Sequence, residues 1–176
     1  MAENRLVVAV DGSKHGNRAV DLAAELSAKL GDDLSIVHVL MHGRPPRELV
    51  RMAEVEHMVE VAGPALGQSS VILPGDFGRL MTTAQEESRA YRVITAIGEE
   101  VVRKAADSAR AAGATGVRTH MESGDAADEI LEVAENEEAR MIVIGCRGLG
   151  RVRGLVLGSV SQKVLLHAPC TVVTVK

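Results

Sequence analysis

The residues best suited to chemistry lie in one glycine-rich stretch, Gly145-Cys-Arg-Gly148-Leu-Gly150-Arg-Val-Arg-Gly154-Leu-Val-Leu-Gly158-Ser159. Glycines permit positive φ and let a ligand approach the main chain without meeting a Cβ. Successive amides in such turns form a concave nest for an anion. Gly158-Ser159 reads as a helix start, where unpaired N–H groups and the helix dipole favour negative charge. Ser159 and Ser161 offer hydroxyl donors, and Arg147, Arg151 and Arg153 add positive charge. The chemistry implied is phosphate binding; a plain strand-to-helix connection capped at Gly158 is the other reading that these residues permit.

Two familiar phosphate loops are excluded by position. A Walker loop needs Lys-Ser/Thr after its second glycine, but Gly150 is followed by Arg151-Val152. A GxGxxG pattern from Gly148 and Gly150 needs glycine at 153, where Arg153 stands. Hydrolytic chemistry is no better supported. There is no HExxH, no G-x-S-x-G elbow and no SGGxDS loop, and Lys14-His15-Gly16-Asn17 lacks the second histidine of an HxGH motif. The acids from Asp125 to Glu138 surround one apolar stripe and read as a solvated helix face. Cys146 beside Arg147 reads as a redox-sensitive thiol or as a small residue accommodated in the loop; His15, after the Asp11 turn, reads as a surface position at a helix start or as a group approaching a bound ligand.

These residues need a scaffold, and the composition limits which one. The chain has 176 residues, 46% of them hydrophobic, with one Phe, one Tyr and no Trp. An aliphatic core of this kind favours helices layered on a parallel sheet. The formal net charge of −4, with both signs mixed, leaves no broad basic footprint for nucleic acid and no basic amphipathic helix for a membrane surface. Met1-Ala-Glu-Asn-Arg5 leads into an apolar run too short for a signal peptide, and no stretch is long enough to span a bilayer. Cys146 and Cys170 have neither CxxC nor zinc spacing, so reduced thiols and a cytoplasmic location are expected.

Periodicity predicts alternating strands and helices. Strands are expected at Arg5–Val10, Leu34–Leu40, Val117–Glu122 (the more polar one, near a sheet edge), Met141–Gly145 and Thr171–Val175. A helix with Ala19, Leu22, Ala23, Leu26 and Leu30 on one face should stop at Gly31. Another follows Ser123-Gly-Asp125 with Ala127, Ile130, Leu131 and Ala134 inward, and a last one runs from Ser159 to about His167. Between the second and third strands, helices are expected over about 47–62 and 91–112, with a Gly/Pro/Ser-rich loop over 63–80. Parallel strands with right-handed crossovers follow, with ligands beyond the C-terminal strand ends. That rule selects the turn Asp11-Gly-Ser13 and the loop from Gly145.

Gly145-x2-Gly148-x9-Gly158-Ser159 resembles the nucleotide motif of the universal stress protein family. Val8-Ala-Val-Asp-Gly-Ser13, Val37-His38-Val39, Gly124-Asp-Ala-Ala-Asp-Glu-Ile130 and Ala168-Pro-Cys-Thr-Val-Val-Thr-Val175 resemble it too, in the same order. The similarity covers about 4–41 and 115–176. It implies one domain over 1–176: a three-layer sandwich on a five-stranded parallel sheet, Rossmann-like and of the adenine nucleotide α-hydrolase type. It also implies an adenosine pocket between the first and fourth strands.

Carried over by position, Asp11 would contact the adenosine part with Ala9 and Val10 beside it, and Val39 would meet adenine through its backbone. Ile144 and Gly145 would pack near sugar and phosphate. Gly148, Gly158, Ser159, Val160 and Ser161 would hold the phosphates. Asp11 also suits a simple Asx turn. The ligand implied is ATP or another adenine nucleotide, with any Mg²⁺ arriving on the ATP. The resemblance also implies a homodimer, and Thr171–Val175 as an edge strand suits that pairing. The region 43–90 is longer than the family pattern and reads as an insert or extended connection: a lid, a partner surface or a tolerated loop. The expected function is a nucleotide-binding regulator of the stress response with at most slow hydrolysis, not an enzyme. A nucleotide-free dimeric interaction module of the same fold is the alternative.

Overall fold

The computed structural model describes residues 4–40, 75–149 and 157–176, with 75–90 described by backbone alone. Its elements are β1 (Arg5–Ala9), α1 (Lys14–Leu30), β2 (Asp33–Leu40), α2 (Gly75–Ala111), β3 (Thr115–Ser123), α3 (Ala126–Asn136), β4 (Met141–Gly145), α4 (Ser159–His167) and β5 (Thr171–Val175). The strands form one parallel sheet in the order β3-β2-β1-β4-β5. This is the expected five-stranded α/β architecture. The chain divides into two compact units, 1–42 with 98–176, and 43–97. The predicted helix over 47–62 lies outside the described residues.

The sheet of the first unit carries a core on each face. Leu6, Val8, Leu34, Ile36 and Val143 meet Ala19, Val20, Ala23 and Ala24 of α1 and Ala105, Ala106 and Ala109 of α2. On the other face, Val7, Val37, Ile142 and Ile144 meet Ala127, Ile130, Val133 and Ala134 of α3 and Val164 of α4. The central strands are therefore apolar on both sides, as buried parallel strands must be. Order β3-β2-β1 runs one way from β1 and β4-β5 the other. The switch between β1 and β4 opens a crevice at their C-terminal ends.

Local signals explain most boundaries. Ser13 caps α1 by accepting from the Gly16 amide at 3.0 Å, and Gly31 ends the helix at φ +72°. Asp125 caps α3, accepting from the amides of Ala127 and Asp128. Two expectations need correction. The loop expected through residue 80 gives way to helix from Gly75 onward. Glycine at 75 and 78 opposes helix by only about 1 kcal/mol each, which a helix of 37 residues absorbs. Leu30 is also not inward: it is 49% exposed, and Leu22 and Leu26 only flank the core. Small residues form the inner face of α1, including Ser27, whose hydroxyl donates to the Asp32 carbonyl and accepts from the Thr115 amide.

At the N-terminal strand ends, far along the sheet from the crevice, Arg5 is almost fully buried. Its guanidinium reaches Glu137 Oε2 at 2.8 Å, Asp33 Oδ2 at 3.1 Å and Ser35 Oγ at 3.3 Å. A planar fork can satisfy three partners at once, so a buried charge is tolerated in a strand.

Candidate nucleotide site

Beyond the C-terminal ends of β1, β2 and β4 lies a cavity of about 390 Å³. Its inner surface comes from Ala9, Val37, Val39 and Ile144 on the strands and from Ala126 and Ile130 at the start of α3. Its mouth comes from two turns: Val10-Asp11 with Gly16 on one side, and Gly145, Arg147–Leu149 and Leu157–Ser161 on the other. All the residues singled out by position line this one cavity: Ala9, Val10, Asp11, Val39, Ile144, Gly145, Gly148, Gly158, Ser159, Val160 and Ser161. His15 does not contribute to it.

The two turns are tied by hydrogen bonds. Asp11 Oδ1 accepts from the Ser13 amide at 2.9 Å, closing the Asx turn. Its Oδ2 accepts from the Leu149 amide at 3.1 Å, across the crevice. Ser13 Oγ, already the cap of α1, donates to the Arg147 carbonyl at 3.4 Å. Asp11 is thus both the turn former and a bridge between β1 and the glycine loop. Each carboxylate oxygen keeps a lone pair for a ligand hydroxyl.

The motif glycines have separate reasons for being glycine. Among the described glycines, positive φ occurs at Gly12, Gly31, Gly113 and Gly116, not at Gly145, Gly148 or Gly158. At Gly145 an added Cβ would lie 2.8 Å from the His15 carbonyl carbon and 2.9 Å from the Gly16 nitrogen. At Gly148 it would lie 2.5 Å from Asp11 Oδ2, and at Gly16 2.6 Å from Asp11 Oδ1. Two glycines therefore enclose the Asp11 carboxylate, and a third lets β4 close onto α1. Gly158 differs: its φ is −76°, and nothing lies closer than 3.5 Å to an added Cβ. The protein's own packing does not require glycine there.

The start of α4 is anchored from behind. The Cys146 carbonyl accepts from the Gly158 amide at 2.7 Å and from Ser161 Oγ at 3.1 Å. The amides of the first turn, 159–161, have no intrahelical acceptor, and Gly158 supplies no side-chain cap. The expected hydroxyl contribution of Ser161 is revised by this geometry. Its single proton serves the Cys146 or the Gly158 carbonyl, and the side chain is 97% buried. What Ser161 offers a ligand is its backbone N–H. Cys146 is 4% exposed, so its thiol is not presented to solvent beside Arg147, and neither cysteine is in a disulfide.

Sequence reasoning did not single out Gly16, Val37, Ala126, Ile130, Leu149 or Leu157 as lining. Ile130 is core, as its place on the apolar stripe implies, and the start of α3 also borders the cavity. The signal available was the Gly124–Ile130 block, which placed the helix but not its end. Among the described residues no group of three His, Cys, Asp or Glu could hold a metal, and no helix is long and apolar enough to cross a membrane.

The sequence model of the universal stress protein family matches residues 3–176. A universal stress protein of Bacillus subtilis, YxiE, is 28% identical over 173 residues, which is 98% of this chain and 99% of that protein. A universal stress protein of Thermus aquaticus is 53% identical over 53 residues, 30% of this chain, and the match spans 39% of that relative's length. The fold is similar, with a TM-score of 0.58 and 22% identity over the whole of both chains, to a universal stress protein from Archaeoglobus fulgidus solved in complex with dAMP. The match of the family model over nearly every residue, on the expected five-stranded parallel sheet, establishes that the chain belongs to the universal stress protein family.

Proposed function

We propose that the chain binds an adenine nucleotide, ATP foremost, in this cavity and acts as a regulatory protein of the stress response. The observation that carries the reading is the convergence of the Asp11 bridge, the Gly148 cradle and the uncapped start of α4 on one cavity. An apolar slot for a base, a carboxylate for ribose hydroxyls and free helix-start amides for phosphate match the three parts of a nucleotide. The dAMP complex of the related Archaeoglobus protein supports the base and its class of ligand. Mg²⁺ would enter with ATP, held by the phosphates. Asp11 is occupied by two amides and is a binding group rather than a general base, so turnover of ATP would be slow at most. In calorimetric titrations ATP, ADP or AMP should bind one per chain; heats at the level of dilution for all three would end this reading.

Assembly belongs to the same proposal. β5 ends the sheet with an unpaired edge, and Leu165 and Leu166 on the neighbouring α4 are 47% and 71% exposed. A second copy pairing edge to edge would cover both features. Light scattering is expected to give the mass of a dimer; a monomer at micromolar concentration would contradict the pairing.

A further inference from the structure

The β1–β2 ladder stops at Ala9↔Val37, and the Val10 amide still donates to the Val37 carbonyl at 2.9 Å. In a continued parallel ladder the next bond would run from the Val39 amide to the Val10 carbonyl. Val10 is not in the strand, and its carbonyl is instead met by His38 Nδ1 at 2.8 Å. A carbonyl only accepts, so Nδ1 carries the proton. The ring is buried and held from behind by α2: a Cβ at Gly98 would fall 3.0 Å from His38 Cδ2 and 3.2 Å from Nε2.

Along β2, residues 37 and 39 turn their N–H and C=O to the same side, toward β1. Because β1 ends at Ala9 and the Val10 carbonyl is met by His38, those groups of Val39 are left on the side of the cavity that Val39 lines. We infer that His38 is a positioning residue for base recognition: its imidazole takes the Val10 carbonyl and keeps the Val39 amide out of the sheet. Val39 then presents a donor and an acceptor side by side. Adenine, with acceptor N1 beside the N6 amino group, complements that pair in one orientation. Guanine carries the inverse pattern, and with the ribose fixed at Asp11 it cannot turn over. This step rests on the nucleotide reading above, but the backbone device does not.

The test compares the wild type with His38→Leu and His38→Asn. In His38→Leu the Val39 amide should rejoin the Val10 carbonyl, slowing its hydrogen exchange at least tenfold. ATP affinity should fall about tenfold with GTP affinity changed less than twofold, so the ATP/GTP preference falls. His38→Asn places a side-chain N–H near the Nδ1 position and should keep ATP affinity within about threefold of wild type, with fast exchange at Val39. Unchanged exchange at Val39 in His38→Leu overturns the device. Equal weakening of ATP and GTP in His38→Leu reduces His38 to a structural residue and overturns its role in base choice. A wild type that binds neither nucleotide, with Val39 exchange still slowed in His38→Leu, removes the nucleotide reading and leaves the ladder device standing.

Discussion

Gly158→Val is expected to fold normally and to lose about a hundredfold in ATP affinity, the equivalent of one or two hydrogen bonds to a charged group. Gly158 initiates α4 with ordinary φ, and an added Cβ finds neighbours only at 3.5 Å or beyond. A side chain at the cap position changes helix stability by about 1 kcal/mol or less relative to glycine. Nothing inside the protein therefore demands glycine here, whereas a phosphate seated on the amides of 159–161 would meet the new methyl groups. Gly158→Ala, which adds only the Cβ, should fall between the two proteins. Thermal unfolding by circular dichroism checks the fold and calorimetry checks the affinity. Wild-type affinity in both variants would show that phosphate is not bound at this helix start.

Gly145→Ala should do the reverse, damaging the fold before any question of binding arises. The new Cβ would sit 2.8 to 3.0 Å from His15 and Gly16, and two of the three atoms it meets are main chain in the first turn of α1. Main chain cannot rotate aside as a side-chain tip can. Either β4 or α1 must move, although both are packed against a core with buried Val8 and Val143 between them. Overpacking of this kind costs about 3 kcal/mol, a fall of roughly 6–12 °C in Tm for a chain of this size. An unfolding midpoint within 2 °C of wild type would refute the close approach of β4 to α1.

These opposite expectations for two glycines of one motif show where the sequence stops being legible. The strands were readable because Leu6–Val10, Leu34–Leu40 and Met141–Gly145 are apolar runs closed by turn residues, and the polar Thr115–Ser123 does lie at an edge. The two turns that line the cavity followed from the rule that ligands sit beyond the C-terminal ends of parallel strands. The sequence does not say what each glycine faces: Gly145 faces main chain, Gly148 faces Asp11, and Gly158 has room for a Cβ at ordinary contact distance. Positive φ, the usual argument for glycine, applies to Gly12 and to none of these three. The hydroxyl partners of Ser27 and Ser161 were illegible for a related reason. A buried hydroxyl is satisfied by particular carbonyls, here Asp32, Cys146 and Gly158, and hydrophobic periodicity passes over it. His38, between two valines, reads as one residue of the second strand, and its role is seen only where the Val10 carbonyl lies against its ring. The start of α2 was hidden because glycines near 75 resemble loop punctuation, and only the length of the helix outweighs them.

The central claim is that an adenine nucleotide occupies the cavity between the Asp11 turn and the start of α4. Titration of ATP into isotope-labelled protein, followed at backbone amides, tests it most directly. The largest shifts are expected at Val39, Gly148, Leu149, Ser159, Val160 and Ser161, all of which line the cavity, with little change at Arg5, Asp33 or Glu137 at the opposite end of the sheet. Saturating ATP that leaves the first group unmoved, or that shifts only residues outside the cavity, would contradict it.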